Sequence, residues 1–186
     1  MIKADIRKLM KKKRMSLSKE EIQSISNQVI SKLNNEFDFK TMTINLFLPI
    51  ERFHEIDLSP LLRSNECKRI GVNKANFENH KMTSYLYTDK EQIRVNTYGI
   101  PEPIFGEVVK PAEFDLVLVP LLAFDRKGCR VGYGKGFYDL FLSECNSDCL
   151  FVGVNHFNDP VEINDLESHD MPLHYVVTPN KMIKFK

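Results

Sequence analysis

Between residues 128 and 139 the chain reads Gly-Cys-Arg-Val-Gly-Tyr-Gly-Lys-Gly-Phe-Tyr-Asp. No other stretch brings glycine, positive charge, aromatic faces and a carboxylate so close together. Four of the eight glycines fall here, and Gly132, Gly134 and Gly136 occupy every second position. In such a loop backbone N–H groups approach an anion with no Cβ in the way, and left-handed backbone costs little. Arg130 and Lys135 add formal charge to those dipoles. The apolar pattern over 137–143 predicts a helix, which sets the loop at a helix N-terminus where the macrodipole favours phosphate. The segment is therefore expected to bind phosphate, although its composition also suits a glycine-rich hairpin turn between two strands.

The common nucleotide motifs do not fit. A Walker A loop needs Ser or Thr after Gly-Lys, where Gly136 stands, and the dinucleotide fingerprint needs a third glycine where Phe137 stands. The pattern Gly128-x-Arg130-Val131-Gly132-x-Gly134-x-Gly136-Phe137-Tyr138-Asp139 instead resembles the signature of the 5-formyltetrahydrofolate cyclo-ligase (methenyltetrahydrofolate synthetase) family. Other stretches resemble that family in the same order. They are Lys3-x-x-x-Arg7, Glu55-Ile56-Asp57 shortly after a strand, Gly99-Ile100-Pro101-Glu102-Pro103, and Asp170 near the end. The resemblance implies an enzyme that uses ATP and Mg²⁺ to convert 5-formyltetrahydrofolate to 5,10-methenyltetrahydrofolate. It implies ATP contacts from Lys3, Arg7 and residues 130–138 (Arg130, Val131, Gly132, Tyr133, Gly134, Lys135, Gly136, Phe137 and Tyr138), with Arg130 and Lys135 as the catalytic cations. Glu55 would then hydrogen-bond the pterin, with Ile50 or Leu48, Tyr133 and Phe137 packing on it. Asp139 and Asp170 would hold Mg²⁺, a hard cation suited to carboxylate oxygens. The family pattern has a second acid where this chain has His174, which departs from it.

The elements that must position these groups follow from periodicity. Ile2, Ile6, Leu9 and Met10 recur at helical spacing, beside a second stripe of Lys3, Arg7, Lys11 and Arg14. One face is expected to pack and the other to be cationic. Read without the resemblance, such a face is a solvated surface or a contact for nucleic acid or membrane. Ser18-x-x-Glu21 forms a capping box for a second helix, with Ile22, Ile25, Val29, Ile30 and Leu33 as its apolar stripe. Strands are predicted over 42–48, 69–73, 82–87, 115–120, 150–154, 175–178 and 182–185. The loop with Glu55 lies just past the first of them, where open α/β sheets place ligands; read alone, it is also a charged loop capping the helix begun by Ser59-Pro60. Helices alternating with apolar strands give an α/β fold, a three-layer Rossmann-like single domain spanning 1–186 with a largely parallel sheet.

Composition bounds the partners. The net charge is +1, yet residues 1–14 hold seven Lys/Arg against one Asp, leaving 19 of 26 basic and 24 of 25 acidic residues for the rest. The basic character is local. No apolar run approaches the roughly 20 residues of a membrane span, and the N-terminus lacks an apolar signal core. The four cysteines have no C-x-x-C spacing, which points to reduced thiols, with Cys129 beside the loop as an oxidation-sensitive candidate. The expectation is a cytoplasmic monomer acting on a small folate, with no nucleic-acid or membrane partner. The other readings are a phosphate- or nucleic-acid-binding module without catalysis, and a diverged ATP-binding relative acting on another amide.

Overall fold

The computed structural model describes residues 1–63 and 67–185. In chain order its main elements are α1 (Lys3–Met15), α2 (Lys19–Glu36), β1 (Thr43–Leu46), α3 (Pro60–Arg63), β2 (Arg69–Asn76), β3 (Lys81–Leu86), β4 (Ile93–Val95), β5 (Pro101–Pro103) and β6 (Val108–Val109). They continue with β7 (Leu116–Pro120), β8 (Ala123–Phe124), β9 (Arg130–Val131), α4 (Phe137–Ser143), β10 (Leu150–Val154), β11 (Tyr175–Val177) and β12 (Met182–Lys184). Eight strands form one sheet in the order β12-β11-β10-β7-β1-β2-β3-β6. The five central strands, β11 through β2, are parallel, and the pairs at either edge are antiparallel. This is the largely parallel α/β sheet expected from the sequence.

Alternation along the central strands decides the layers. Leu116 and Leu118 of β7, with Val152 and Val154 of β10, pack on Val29 and Leu33 of α2. The intervening Val117, Val119 and Phe151 face Phe141 and Leu142 of α4. A strand covered on both faces must be apolar at every position, which is why Leu116–Val119 reads as an unbroken run. The Ser18/Glu21 capping box is made: Glu21 N–H donates to Ser18 Oγ at 3.1 Å, and Ser18 N–H to Glu21 Oε2 at 2.7 Å.

Gly153 is fixed by packing. A Cβ there would meet Leu121 at 2.4 Å and Leu173 at 2.6 Å, both side chains already buried. Overpacking of this kind costs roughly 1–3 kcal/mol. Gly153→Ala should therefore lower the thermal midpoint by about 2–4 °C per kcal/mol lost in a chain of this size, measured by circular dichroism.

α1 departs from its expected orientation. Ile6 and Met10 are buried as predicted, against Leu122, Ala123, Val131 and Ile163. Ile2 and Leu9, read as core, are exposed at 48% and 40%, whereas Lys3 and Arg14 are buried at 7% and 3%. The packed and cationic stripes are thus one face. Among the helix's cations, Lys8, Lys12 and Lys13, outside both stripes, are exposed away from the cavity, and exposed Lys11 reaches its edge. Periodicity gave the helix but not which stripe wins, because the partners that let the cations turn inward come from distant segments: Asp170 for Lys3, the Gly132 carbonyl for Arg7 and the Tyr133 hydroxyl for Arg14. Among the described residues no helix is long and apolar enough to cross a membrane.

Candidate active site

The carboxyl ends of β1, β2 and β7 open into a cavity of ≈ 550 Å³, closed on one side by α1 and on another by the segment joining β9 to α4. The glycine stretch divides between two jobs. Gly128, at φ +84°, completes the turn of the β8–β9 hairpin, where Asp125 Oδ1 accepts the N–H groups of Lys127 and Cys129 at 2.8 and 2.9 Å. The hairpin reading therefore holds for this end of the stretch. Gly132, Gly134 and Gly136 line the cavity. At Gly134, φ is +84° and a Cβ would come within 2.9 Å of Arg7 Cζ, so glycine is what lets the helix side chain lie against the loop. Arg7 Nε then donates to the Gly132 carbonyl at 3.0 Å.

Of the residues singled out from the sequence, Lys3, Arg7, Ile50, Glu55, Arg130, Gly132, Tyr133, Gly134, Lys135, Gly136, Phe137, Tyr138, Asp139 and Asp170 all line this one cavity. Val131 does not; its side chain is wholly buried in the core beneath α1 and anchors the loop from below. The cations differ in their commitments. Lys3 Nζ sits 2.5 Å from Asp170 Oδ2 and 3.5 Å from Glu167 Oε2. Burial alone would pull the Lys3 ammonium down, but these carboxylates outweigh it and its pKa is raised. Asp170 shows the mirror effect: burial pushes it up, and the Glu167 N–H with Lys3 hold it below the usual carboxylate range. Arg130 Nη2 donates to Asp139 Oδ1 at 2.6 Å, and its Nη1 donates to the Met171 carbonyl. Lys135 is exposed and, among the described residues, makes no ion pair or side-chain hydrogen bond.

Asp139 and Asp170 each bond through one carboxylate oxygen. No hydrogen bond among the described residues reaches Asp139 Oδ2 or Asp170 Oδ1, and both residues face the cavity. Hard oxygens spared in this way suit Mg²⁺, which keeps several waters and takes only one or two carboxylates.

On the opposite wall lies a buried polar relay. Arg14 Nη2 donates to the Tyr133 hydroxyl, which donates to Glu55 Oε1, while Glu55 Oε2 accepts the Ile50 N–H at 2.7 Å. Glu55 is 5% exposed, and burial raises its pKa against the opposing pull of Tyr133, Ile50 and Arg14. Burial, then the charge of Glu55, pushes the Tyr133 phenol far up, so it stays a donor. Phe53 stacks on Tyr133 with centroids 5.6 Å apart. Behind them His156 Nε2 donates to the His54 carbonyl at 2.8 Å, and burial with the nearby Arg14 charge pushes the His156 pKa down to about 3.

That depression carries a pH signature. Above pH ~6.5 His156 is neutral folded or unfolded and its contribution is complete; as pH falls, the unfolded chain binds a proton that the native site refuses. Between pH 6.5 and 5 this costs about 2 kcal/mol. Urea unfolding of His156→Gln, which keeps a donor for His54, should show an acid loss smaller by that amount than the parent chain.

Several cavity residues were not read from the sequence. Lys11, Arg52, Phe53, Asn73, Phe77 and Tyr98 all line it. Phe77 meets Phe137 at 5.3 Å and Tyr98 at 5.4 Å, building an aromatic rim from the β2–β3 and β4–β5 turns. Glu102, given no role from the sequence, ties that rim down: it accepts Asn96 Nδ2 at 3.0 Å and pairs with Lys74 at 3.5 Å. Two expectations need correction. His174, standing where the family pattern has a second acid, is half-buried outside the cavity lining; its Nδ1 accepts the Phe151 N–H at 2.9 Å, so the position serves β10 rather than the cavity. Burial and Asp125 push the Cys129 thiol up, which lowers the thiolate fraction that oxidation requires.

Comparison with known proteins bears on this architecture. The chain is 28% identical over 181 residues to the 5-formyltetrahydrofolate cyclo-ligase of Escherichia coli K12, covering 94% of this chain and 98% of that one. It is 27% identical over 154 residues to the mouse enzyme of that name, covering 77% and 74%. The solution structure of Aquifex aeolicus 5,10-methenyltetrahydrofolate synthetase superposes with a TM-score of 0.85 at 33% identity, covering all of this chain and 94% of that one. A Mycoplasma pneumoniae 5,10-methenyltetrahydrofolate synthetase shares the fold, with a TM-score of 0.72 at 22% identity over 96% of this chain and 99% of that one. A family model described as the 5-formyltetrahydrofolate cyclo-ligase family matches residues 1–179, and this chain belongs to that family.

Proposed function

We propose that the protein converts 5-formyltetrahydrofolate to 5,10-methenyltetrahydrofolate with ATP and Mg²⁺, releasing ADP and phosphate. The observation that carries this reading is a single cavity with two unlike walls. One gathers Lys3, Arg7, Arg130 and Lys135 around a glycine loop; the other sets buried Glu55 among Leu48, Ile50, Phe53 and Tyr133. A polyphosphate suits the first wall, and a flat ring with N–H donors on its edge suits the second.

The N5-formyl group is an amide, and its oxygen leaves only once it is made a good leaving group. Transfer of the γ-phosphoryl group to that oxygen makes the formyl carbon electrophilic. N10 attacks the carbon and loses its proton, and the C–O bond breaks with departure of phosphate. No protein nucleophile is needed. Phosphoryl transfer calls for positioning and charge stabilisation. In this reading Arg7 and the loop from Gly132 to Gly136 hold the triphosphate, and Lys135 and Arg130 stabilise the transferred group. Asp139 and Asp170 would hold Mg²⁺, which when bound neutralises phosphate charge. Glu55 orients the pterin edge, and the aromatic walls exclude water.

The test is incubation with 5-formyltetrahydrofolate, ATP and Mg²⁺ while following the near-ultraviolet absorbance of the methenyl product. Absorbance that grows only with ATP present is expected. No product, or product formed equally without ATP, sinks the reading.

A further inference from the structure

Arg14 is the last cation on the inward face of α1, two turns beyond Arg7, and it does not line the cavity. It is 3% exposed, and its one side-chain hydrogen bond among the described residues goes to the Tyr133 hydroxyl; buried Nε has no partner. Among the described residues it forms no ion pair. A guanidinium buried at such desolvation cost with a single phenol as partner is not explained by stability.

We propose that Arg14 is a positioning residue for the folate: acting through Tyr133, it holds Glu55 as an oriented anion at the end of the relay. This rests on the reading that Glu55 receives the pterin. All donors in the relay point one way, from Arg14 to Tyr133 to Glu55, and the Ile50 N–H fixes the second carboxylate oxygen. The edge of a reduced pterin offers a ring N–H beside an amino group, two parallel donors that match an ionised carboxylate. A protonated carboxyl presents one donor and one acceptor and mismatches that edge.

The groups around Glu55 leave Arg14 as the cation for this task. From α1 come Arg14 and Lys11, and Lys11 lies over the Tyr133 ring at 5.4 Å. From the glycine loop comes Tyr133, which stays a neutral donor. His54 precedes Glu55, and His156, from the segment after β10, is held neutral by burial and by Arg14 itself. Of the remaining cavity cations, Lys3 and Arg130 are spent on Asp170 and Asp139, Arg7 donates to the Gly132 carbonyl, Arg52 lies over the Phe53 ring, and Lys135 is exposed. Burial drives Glu55 toward its neutral form; the hydrogen bonds from Tyr133 and the Ile50 N–H oppose it, and Arg14 adds its charge to them.

The experiment compares the parent chain with Arg14→Gln, Arg14→Lys and Tyr133→Phe, the last cutting the relay while leaving Arg14 in place. Steady-state kinetics are run from pH 6 to 8.5, varying each substrate. In Arg14→Gln the folate KM should rise about tenfold near neutral pH, the scale of one weakened hydrogen bond to a charged group. The ATP KM should hardly move. Folate kcat/KM should recover as pH rises, and Arg14→Lys should fall between. Calorimetry of 5-formyltetrahydrofolate binding in two buffers of unlike ionisation enthalpy should show proton release in Arg14→Gln and Tyr133→Phe that exceeds the parent chain's. A pH-independent loss, equal changes in both KM values, or proton release unchanged in both relay variants overturns the proposal. Should Arg14→Gln fail to fold, Tyr133→Phe decides by the same readouts. Glu55→Gln separates the two levels: an unchanged folate KM there removes the pterin from Glu55, whereas a raised one beside a silent Arg14→Gln removes only Arg14.

Discussion

Replacing Lys135 with alanine should leave the fold intact and cut turnover by ~10²–10³, the usual loss when one preorganised charge is taken from a site of charge development. The structure sharpens why this cation and not its neighbours. Lys3 and Arg130 each hold a carboxylate at 2.5–2.6 Å, so removing either strands a partly buried acid and disturbs structure as well as chemistry. Lys135 is exposed and has no such partner, so its truncation leaves nothing unpaired. Thermal unfolding should match the parent chain within about 1–2 °C, since surface changes away from such features fall within about ±0.5 kcal/mol. The loss should appear mainly in kcat, because a charge that meets phosphate only as it transfers stabilises the transition state over the ground state. Near-parental kcat would remove Lys135 from the phosphoryl-transfer step.

The sequence showed the fold where one force dominated. β7 and β10 are unbroken apolar runs because both faces are covered, and α2 begins where Ser18 and Glu21 complete each other's hydrogen bonds. The glycine loop was legible because its residue types have few uses together. What stayed hidden depended on contacts between distant segments. Periodicity alone could not show that Lys3 and Arg14 turn inward, because Asp170 and Tyr133, which meet them, lie more than a hundred residues away. The aromatic rim was missed because Phe77 and Tyr98 sit in turns, where no periodicity marks direction. The minor strands β4, β5, β6, β8 and β9 have two or three residues each, too few to show a period of two.

Asp139→Asn should raise the Mg²⁺ concentration for half-maximal activity about tenfold or more, a loss of at least ~1.4 kcal/mol of metal affinity. In the proposed site the carboxylate has two jobs, one on each oxygen. Oδ1 accepts Arg130 Nη2 at 2.6 Å and the Met171 N–H at 3.1 Å, fixing the guanidinium in the cavity wall, and Oδ2, which no described residue hydrogen-bonds, would take the ion. Asparagine keeps a carbonyl oxygen for Arg130 but loses the charge and turns the second oxygen into a donor that repels a cation. The two jobs separate in a titration. If Asp139 is a metal ligand, excess Mg²⁺ restores most of kcat in Asp139→Asn. If it only anchors Arg130, kcat falls while the Mg²⁺ midpoint stays where it was. Asp139→Ala removes both functions and leaves Arg130 buried without its anion, a loss that in buried pairs reaches about 3–5 kcal/mol and that no concentration of metal repairs. A variant pair in which asparagine is rescued by Mg²⁺ and alanine is not would assign one oxygen to the arginine and the other to the ion.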